Sequence, residues 1–365
     1  MLPLGALVAL AWVNAAPESY FRFTLPVAFA VNDIAMVFFF AVITKEVVEA
    51  TAPGGVLHPW RRALLPVVAA VGVAALPALL HTGLVDAFDE PMLAIAWPVT
   101  FATDLAVGYF ITRLIFGARH QVIPFFLLIG IASNAFGFLA IAAFHPVRDL
   151  HLGIGAPVMA LALSISVGLR RARVRSFWPY ILGSGGASWF ALFLAGLDPA
   201  LALVPIMPFL PHAARDPGFF VDAPPDAMDT LNRFEIWWRY PAQVALFFFG
   251  LVNAGVPFRA LEPGTWALPI ALLAGKPLGM LMGTGIAVAV GLRLPNRVRA
   301  RELIVVGLST AIGFSVGLFF SSVLLPPGQL RSEISMGVLI TLAATPLAVI
   351  SAKMLRVGRF AQSQH

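Results

Sequence analysis

Three ionisable residues lie where an apolar chain has least reason to carry them: Asp33 in VNDIAMVFF, Asp104 in ATDLA and Lys276 in GKPLG. Of the 18 acids only Asp33 and Asp104 fall well inside an apolar run, and of the lysines only Lys276 does. An ionisable side chain at membrane depth costs at least ~2.5 kcal/mol on insertion scales, so it marks an ion or proton path unless a structural duty explains it. For Asp104 and Lys276 that duty would be a mutual pair joining two helices. For Asp33, which follows Asn32 near the start of an apolar run, helix capping ranks ahead of transport. Lys45, Glu46 and Glu49 close the same run at its polar end, where snorkelling accounts for them. Other chemistry lacks its residues. The chain has no cysteine, no HExxH, GxSxG or P-loop, and its 7 histidines show no ligand spacing. Gly183-Ser184-Gly185-Gly186 sits in an apolar run and reads as helix packing, not a phosphate cradle. No enzyme activity and no cofactor are implied.

The elements that must position these charges are membrane spans. The 365 residues are 59% hydrophobic and 12% charged, with a mean hydropathy of +0.88, more apolar than one water-soluble core could hide. Apolar runs predict spans near 1-15, 28-46, 63-83, 92-116, 121-144, 151-169, 177-196, 198-212, 236-256, 265-292, 302-325 and 332-355, about twelve crossings at ~20 residues each. The net charge of +6 reads as topology, not as a nucleic-acid surface. Arg61, Arg62, Arg119, Arg170, Arg171, Arg297 and Arg356 fall on even connections, whereas Asp86, Asp89 and Glu90, and Asp149 beside a single Arg148, fall on odd ones. The positive-inside rule then places both termini in the cytoplasm. The first run lacks a basic n-region and a small-residue cleavage site, so it reads as a retained helix. A polar connection near 213-235 divides the chain into halves.

Two spans are interrupted. Pro98, Thr100, Thr103 and Asp104 break the fourth, and Gly307, Ser309, Thr310, Gly313, Ser315 and Gly317 break the eleventh. Freed backbone groups survive in lipid only where protein or water covers them. The two spans occupy matching places in three-helix sets, as inverted repeats with discontinuous helices do. The expectation is two non-helical breaks, at 98-104 and 309-317, facing each other near the midplane.

The segments VNDIAMVFF (31-39), ATDLA (102-106), NAGV (253-256), GKPLG (275-279) and VVGLSTAIGFSVGLFF (305-320) resemble, in order and spacing, the NhaA-type Na+/H+ antiporter family. The resemblance implies an all-α polytopic protein with crossed, discontinuous fourth and eleventh helices, and a core rocking against a second domain. It implies that Asp104 offsets the positive ends of two half-helices and that Lys276 is the tenth-helix lysine. The fifth helix departs from the family: IGIASNAFG carries Ser133 and Asn134 where the family has paired aspartates. Lys45 stands where the family tends to carry glutamate, and the connection at 16-27 is too short for its dimerising β-hairpin, which puts the usual homodimer contact in doubt.

The expected function is monovalent cation (Na+ or Li+)/proton antiport with altered coupling in the inner membrane. Asp104, Thr103, Ser133 and Asn134 would offer oxygens to the cation and Lys276 would carry the proton, with Asp33 and Thr310 as secondary candidates. Transport of a small anion or organic solute, drawn to Lys276, is the first alternative, and a transport-incompetent sensor or partner homologue the second. Residues 1-365 are expected to form one integral membrane unit. Its core-type helices are placed at about 63-169 and 236-355, with helices 1-2, helices 7-8 and the 213-235 loop as second-domain elements. Lys276 is expected near Ser133 and Asn134.

Overall fold

The computed structural model describes all residues except 52–63, 118–119, 145–150, 212–228, 295–297 and 363–365. Arg61, Arg62, Arg119, Asp149, Arg297 and most of the expected 213-235 loop lie outside the described residues. In chain order the α-helices are α1 (Leu2–Ala15), α2 (Pro17–Phe29), α3 (Met36–Thr51), α4 (Leu64–Ala87), α5 (Leu105–Phe116), α6 (Val122–Phe144), α7 (Leu152–Arg171), α8 (Gly186–Ala195), α9 (Thr230–Asn253), α10 (Ala267–Ala289), α11 (Ala300–Thr310), α12 (Phe314–Leu324), α13 (Gln329–Ile340) and α14 (Ala344–Met354). Among the described residues every regular element is helical. Among the described residues six helices are long and apolar enough to cross a membrane, or eight if each of two bent pairs is one span. The bent pairs are Pro91–Phe101 with α5, at 58°, and α11 with α12, at 48°.

Three expectations change. The second crossing does not start at 28: α2 begins at Pro17 and continues through a π-helical stretch, Ala30–Ala35, into α3. Pro17 at the first helical turn costs no hydrogen bond, because that amide has no helical partner anyway. Residues 16-27 are therefore mostly helix instead of a connection. The eighth crossing, expected at 198-212, holds only the short 3-10 turns Pro199–Leu201 and Met207–Phe209 with turns between them. Pro205, Pro208 and Pro211, three residues apart, each remove a backbone donor and obstruct the preceding turn, so no α-helix can run through them. Helix α9 starts earlier than expected, because the Asp229 side chain accepts from Asn232 N at 2.9 Å and caps it.

The chain divides into two compact units, Met1–Trp60 with His145–Gly255 and Arg61–Phe144 with Val256–His365. The crossings expected near 151-169 and 236-256, grouped above with the core, thus fall in the first unit. In that unit the π-helical stretch is fixed by polar contacts. Asn32 and Asn253 exchange side-chain amide hydrogen bonds at 3.3 and 2.8 Å, and Trp189 Nε1 donates to Asp33 O at 2.8 Å. Asn32 and Asp33 sit inside a continuous helix and not at a helix start. Phe38 stacks on Trp238 with ring centroids 3.5 Å apart.

The second unit is built around α4 and α10. A Cβ on Gly72 would lie 2.3 Å from Gly279 O, and one on Gly279 would lie 2.2 Å from Gly72 O. Only hydrogen fits there, which draws the two backbones together as small residues do in membrane helix pairs. Pro277 on α10 in turn packs against Gly307 of α11, where a Cβ would meet Pro277 Cα at 2.5 Å. This contact places α11 and its break beside Lys276.

Candidate functional site

The breaks are narrower than the sequence suggests. Ala102–Asp104 interrupts the first bent pair and Ala311–Gly313 the second, while 98–101 is 3-10 and 314–317 is already α-helical. Pro98 lies within the eleven-residue 3-10 helix Pro91–Phe101, longer than such helices usually run. Two half-helices, Pro91–Phe101 and α11, bring their C-terminal carbonyls to the breaks, and two others, α5 and α12, bring their N-terminal amides. A half-helix end is a partial charge, negative at the C-terminus and positive at the N-terminus. The residues that meet these ends carry the complementary full charges.

Asp104 serves the amides. Its Oδ1 accepts from Val107 N at 2.9 Å, capping α5, and its Oδ2 accepts from Ser315 N at 3.0 Å in the first turn of α12. Its own backbone N donates to Ile312 O at 2.6 Å, so one residue stitches both breaks. Lys276 serves the carbonyls. Its Nζ donates to Thr310 O at 3.0 Å, Thr103 Oγ1 at 2.8 Å, Phe101 O at 3.4 Å and Ala102 O. Both charged residues are buried, at 1% and 0% exposure. The pairing of Asp104 with Lys276 considered from sequence is not formed. Each charge is met by the helix ends of opposite sign.

Ser133 and Asn134 brace the first break. Ser133 Oγ donates to Phe101 O at 2.6 Å. Asn134 Oδ1 accepts from Thr103 N at 2.8 Å while Asn134 Nδ2 donates to Thr103 O at 3.0 Å, so one amide side chain completes both backbone groups of a non-helical residue. Such pairing satisfies groups that would otherwise be orphaned in lipid. Lys276 and Ser133 therefore share Phe101 O, and Lys276 and Asn134 share Thr103. The second break is braced by Thr341 Oγ1, which accepts from Gly313 N at 3.1 Å. Thr310 contributes its carbonyl, which also accepts from Thr103 Oγ1 at 3.1 Å, while its hydroxyl donates to Gly307 O at 2.7 Å. Asp33 belongs to the first unit, whereas the residues of this cluster belong to the second.

Sequence reasoning missed the oxygens of Phe101, Ala102 and Thr310, because a main-chain carbonyl has no residue signature. The only available signal was the break itself. It also misplaced Lys45. Instead of snorkelling, Lys45 is 2% exposed and pairs with Glu49 at 2.7 Å and Glu235 at 2.6 Å. Among the described residues no three His, Cys, Asp or Glu side chains are grouped to hold a metal ion.

Three comparisons identify what this arrangement belongs to. A family profile described as Na+/H+ antiporter 1 matches residues 2–354. The chain is 38% identical over 378 residues to the Na(+)/H(+) antiporter NhaA of Desulfitobacterium hafniense, covering 100% of this chain and 95% of the relative. It is likewise 38% identical over 365 residues to NhaA of Geotalea uraniireducens, covering 97% and 94%. Among solved structures it is similar to the sodium proton antiporter MjNhaP1 from Methanocaldococcus jannaschii at pH 8. That match has a TM-score of 0.60 and 15% identity, and covers 99% of this chain and 92% of the other. At that identity the likeness concerns the fold alone. With its family profile matched over nearly its whole length, the chain, a multi-pass helical membrane protein, belongs to the Na+/H+ antiporter 1 family, the NhaA type.

Proposed function

We propose that this protein exchanges a monovalent cation, Na+ as the names of its relatives indicate or the similar Li+, for protons across the inner (plasma) membrane, with the two facing breaks as its ion site. The observation that carries this reading is the sorting of charge within the breaks: a buried carboxylate on two helix N-termini and a buried ammonium on two helix C-termini. A purely structural membrane core would be more stable without either, since a desolvated ion costs several kcal/mol before its partners offset it. In this reading Asp104 sets the potential of the site, Thr103 offers it a side-chain oxygen, Thr310 a main-chain oxygen, and Lys276 carries the proton. Ser133 and Asn134 hold the break open for the ion and do not supply the carboxylates that the family places at those positions. Asp33 has no role in the exchange. The altered fifth helix changes the coupling between ion and proton, not the presence of exchange.

The anion alternative is disfavoured by the same geometry. The three ammonium hydrogens of Lys276 face four oxygens, which leaves no donor for a bound carboxylate or phosphate. Both termini are assigned to the cytoplasm on the positive-inside argument. A homodimer would need contacts other than a β-hairpin after α1, because that stretch is helix α2. The test is proton flux in proteoliposomes holding the full chain and a pH dye. Addition of Na+ or Li+ should drive proton movement, and Asp104→Asn should abolish it. Proton movement indifferent to every monovalent cation would remove the antiport reading.

A further inference from the structure

The second unit has an acidic end that lies apart from the breaks. Three elements begin there: the 3-10 helix Pro91–Phe101, the turn Pro263–Trp266 that leads into α10, and α13. Each brings one glutamate, Glu90, Glu262 and Glu333 respectively. Close packing joins the three elements. A Cβ on Gly264 would lie 3.2 Å from Glu90 Cγ, and one on Gly337 would lie 2.9 Å from Thr265 O. The carboxyls descend from solvent into the protein, with Glu262 exposed, Glu90 half-buried and Glu333 at 3% exposure. Helix α10 runs from this end to Arg293 just past the other, and the positive-inside argument assigns the acidic end to the outside.

Helix capping explains only part of this charge. Glu262 shares a capping box with Thr265, whose hydroxyl accepts from Glu262 N at 3.1 Å. Glu90 precedes its 3-10 helix but makes no side-chain capping bond. Glu333 is the fifth residue of α13, past the first turn whose amides lack partners. Gln329, exposed one turn earlier, hydrogen-bonds the Glu333 carboxyl, and Oε2 is left buried with no partner among the described residues. Glu90 and Glu262 add like charge to it. Arg331 belongs to the same helix, but residues two apart do not share a face. A buried carboxylate oxygen with acidic neighbours and no donor is incomplete until a cation reaches it.

The spacing of the acids selects the kind of cation. The three carboxyls are not grouped tightly enough to hold a metal ion jointly, so a divalent ion, which takes many oxygens at once, is poorly served. A monovalent ion needs less. It can take one carboxylate contact and keep water on the side of the exposed Glu262 and Gln329. The position also points toward the breaks: Glu333, Gly337 and Thr341 recur every four residues along one buried face, and Thr341 is the brace of Gly313 N. Eight residues of helix span ~12 Å.

We infer that Glu333 is a second cation site, at the base of an acidic funnel formed with Glu90 and Glu262, which captures a monovalent cation such as Na+ on the outer side before that ion reaches the breaks. The inference rests on the cation/proton exchange reading and adds an entry station to it. The negative charge of the funnel raises the local concentration of cations, and Glu333 supplies the first direct contact.

The test uses the full chain and two readouts. In detergent, a lipophilic carbodiimide is added, which modifies carboxyl groups in apolar surroundings, and its attachment to Glu333 is read by peptide mass spectrometry while NaCl is titrated against choline chloride. Na+ should protect Glu333 where choline does not, and Glu90→Gln with Glu262→Gln should raise the half-protecting concentration roughly threefold. In proteoliposomes Glu333→Gln, which keeps a partner for Gln329, should raise the KM for Na+ roughly tenfold, as loss of one contact to a charge does, with little change in kcat. Glu333→Asp should recover part of that loss. Native flux combined with modification indifferent to Na+ and an unchanged KM in Glu333→Gln would overturn the inference and leave the antiport reading standing. A Glu333 carboxyl that the reagent never modifies, or a fall in kcat at constant KM, would overturn it in the same way. Protection by Na+ without any flux would support the site and overturn the antiport reading. Neither protection nor flux would overturn both.

Discussion

Two lysines are buried in this protein, one in each unit, and they are stabilised in opposite ways. Lys45 is 2% exposed and faces two carboxylates, Glu49 and Glu235, at 2.7 and 2.6 Å. Lys276 is 0% exposed and faces four neutral oxygens. The first ammonium answers full charges that would be stranded without it. The second answers only dipoles, of three carbonyls and one hydroxyl. Burial alone thus does not say what a lysine is paired with. The charge of what remains after its removal does.

This contrast can be broken most forcefully at Lys45. Lys45→Met would leave Glu49 and Glu235 without their base, and losing one partner of a buried pair typically costs ~3–5 kcal/mol. Denaturant unfolding in detergent should show a loss of that size. A change under ~1 kcal/mol would mean that water already solvates the cluster. Next in size is Asp104→Ala, which strips a charge-assisted bond from Val107 N and another from Ser315 N, each worth ~1.5–3 kcal/mol. A drop of about 3 kcal/mol, together with faster amide exchange at Val107 and Ser315, would check the stitching of the two breaks.

Lys276→Met should cost less than Lys45→Met, about 1–2 kcal/mol, because only neutral oxygens, three carbonyls and the Thr103 hydroxyl, lose a partner. An equal cost would erase the distinction between the two lysines. Ser133→Asp tests the reverse direction by giving Lys276 a carboxylate of its own beside Phe101. Asn134 is left in place, since an aspartate there would turn an acceptor toward Thr103 O. Na+- or Li+-driven proton flux in proteoliposomes should then increase, with a pH profile set by the added acid, and an unchanged flux and profile would show that the new carboxylate does not join the site.

A pH-dependent effect belongs to Asp198, outside the apolar helices at the turn after α8. Burial, with Asp33 adding repulsion and the Ala200 amide opposing, pushes its carboxyl up from 3.8 to about 7. The folded state thus binds more protons than the unfolded one between those values, and stability should fall as pH rises from about 4 to about 7 and level off above. Asp198→Asn keeps an acceptor for Ala200 N and should flatten that slope in melting curves taken across the window. An unchanged slope would assign it to other groups.

The parts of this molecule visible in its sequence are those that are costly in lipid. Asp104 and Lys276 stand out because a charge in an apolar run is expensive, and the breaks stand out because Pro98, Gly307 and Gly313 disfavour an unbroken helix. Most of the oxygens around Lys276 are hidden because three of the four are main-chain atoms of Phe101, Ala102 and Thr310, residues whose side chains say nothing of that role. Lys45 looked interfacial because Glu235, which helps bury it, is remote in the chain. Asp33 looked like a cap because Glu18 and Arg22 make the first turns of α2 read as a polar connection when they are in fact helix. The stretch 198-212 was apolar enough to pass for a span, and only the three-residue spacing of its prolines argued otherwise.

The backbone contact of Gly72 with Gly279 has a mechanical meaning for the site. With α4 and α10 touching main chain to main chain, and Pro277 lodged against Gly307, the Cα of Lys276 is clamped from two sides and cannot slide along its neighbours. Whatever displacement brings the ammonium away from its four oxygens must come from rotation of its flexible four-carbon stem. The lysine is then a hinged arm on a fixed post, and in the proposed exchange its reach, not the travel of a helix, would bound how far a proton is carried within the second unit.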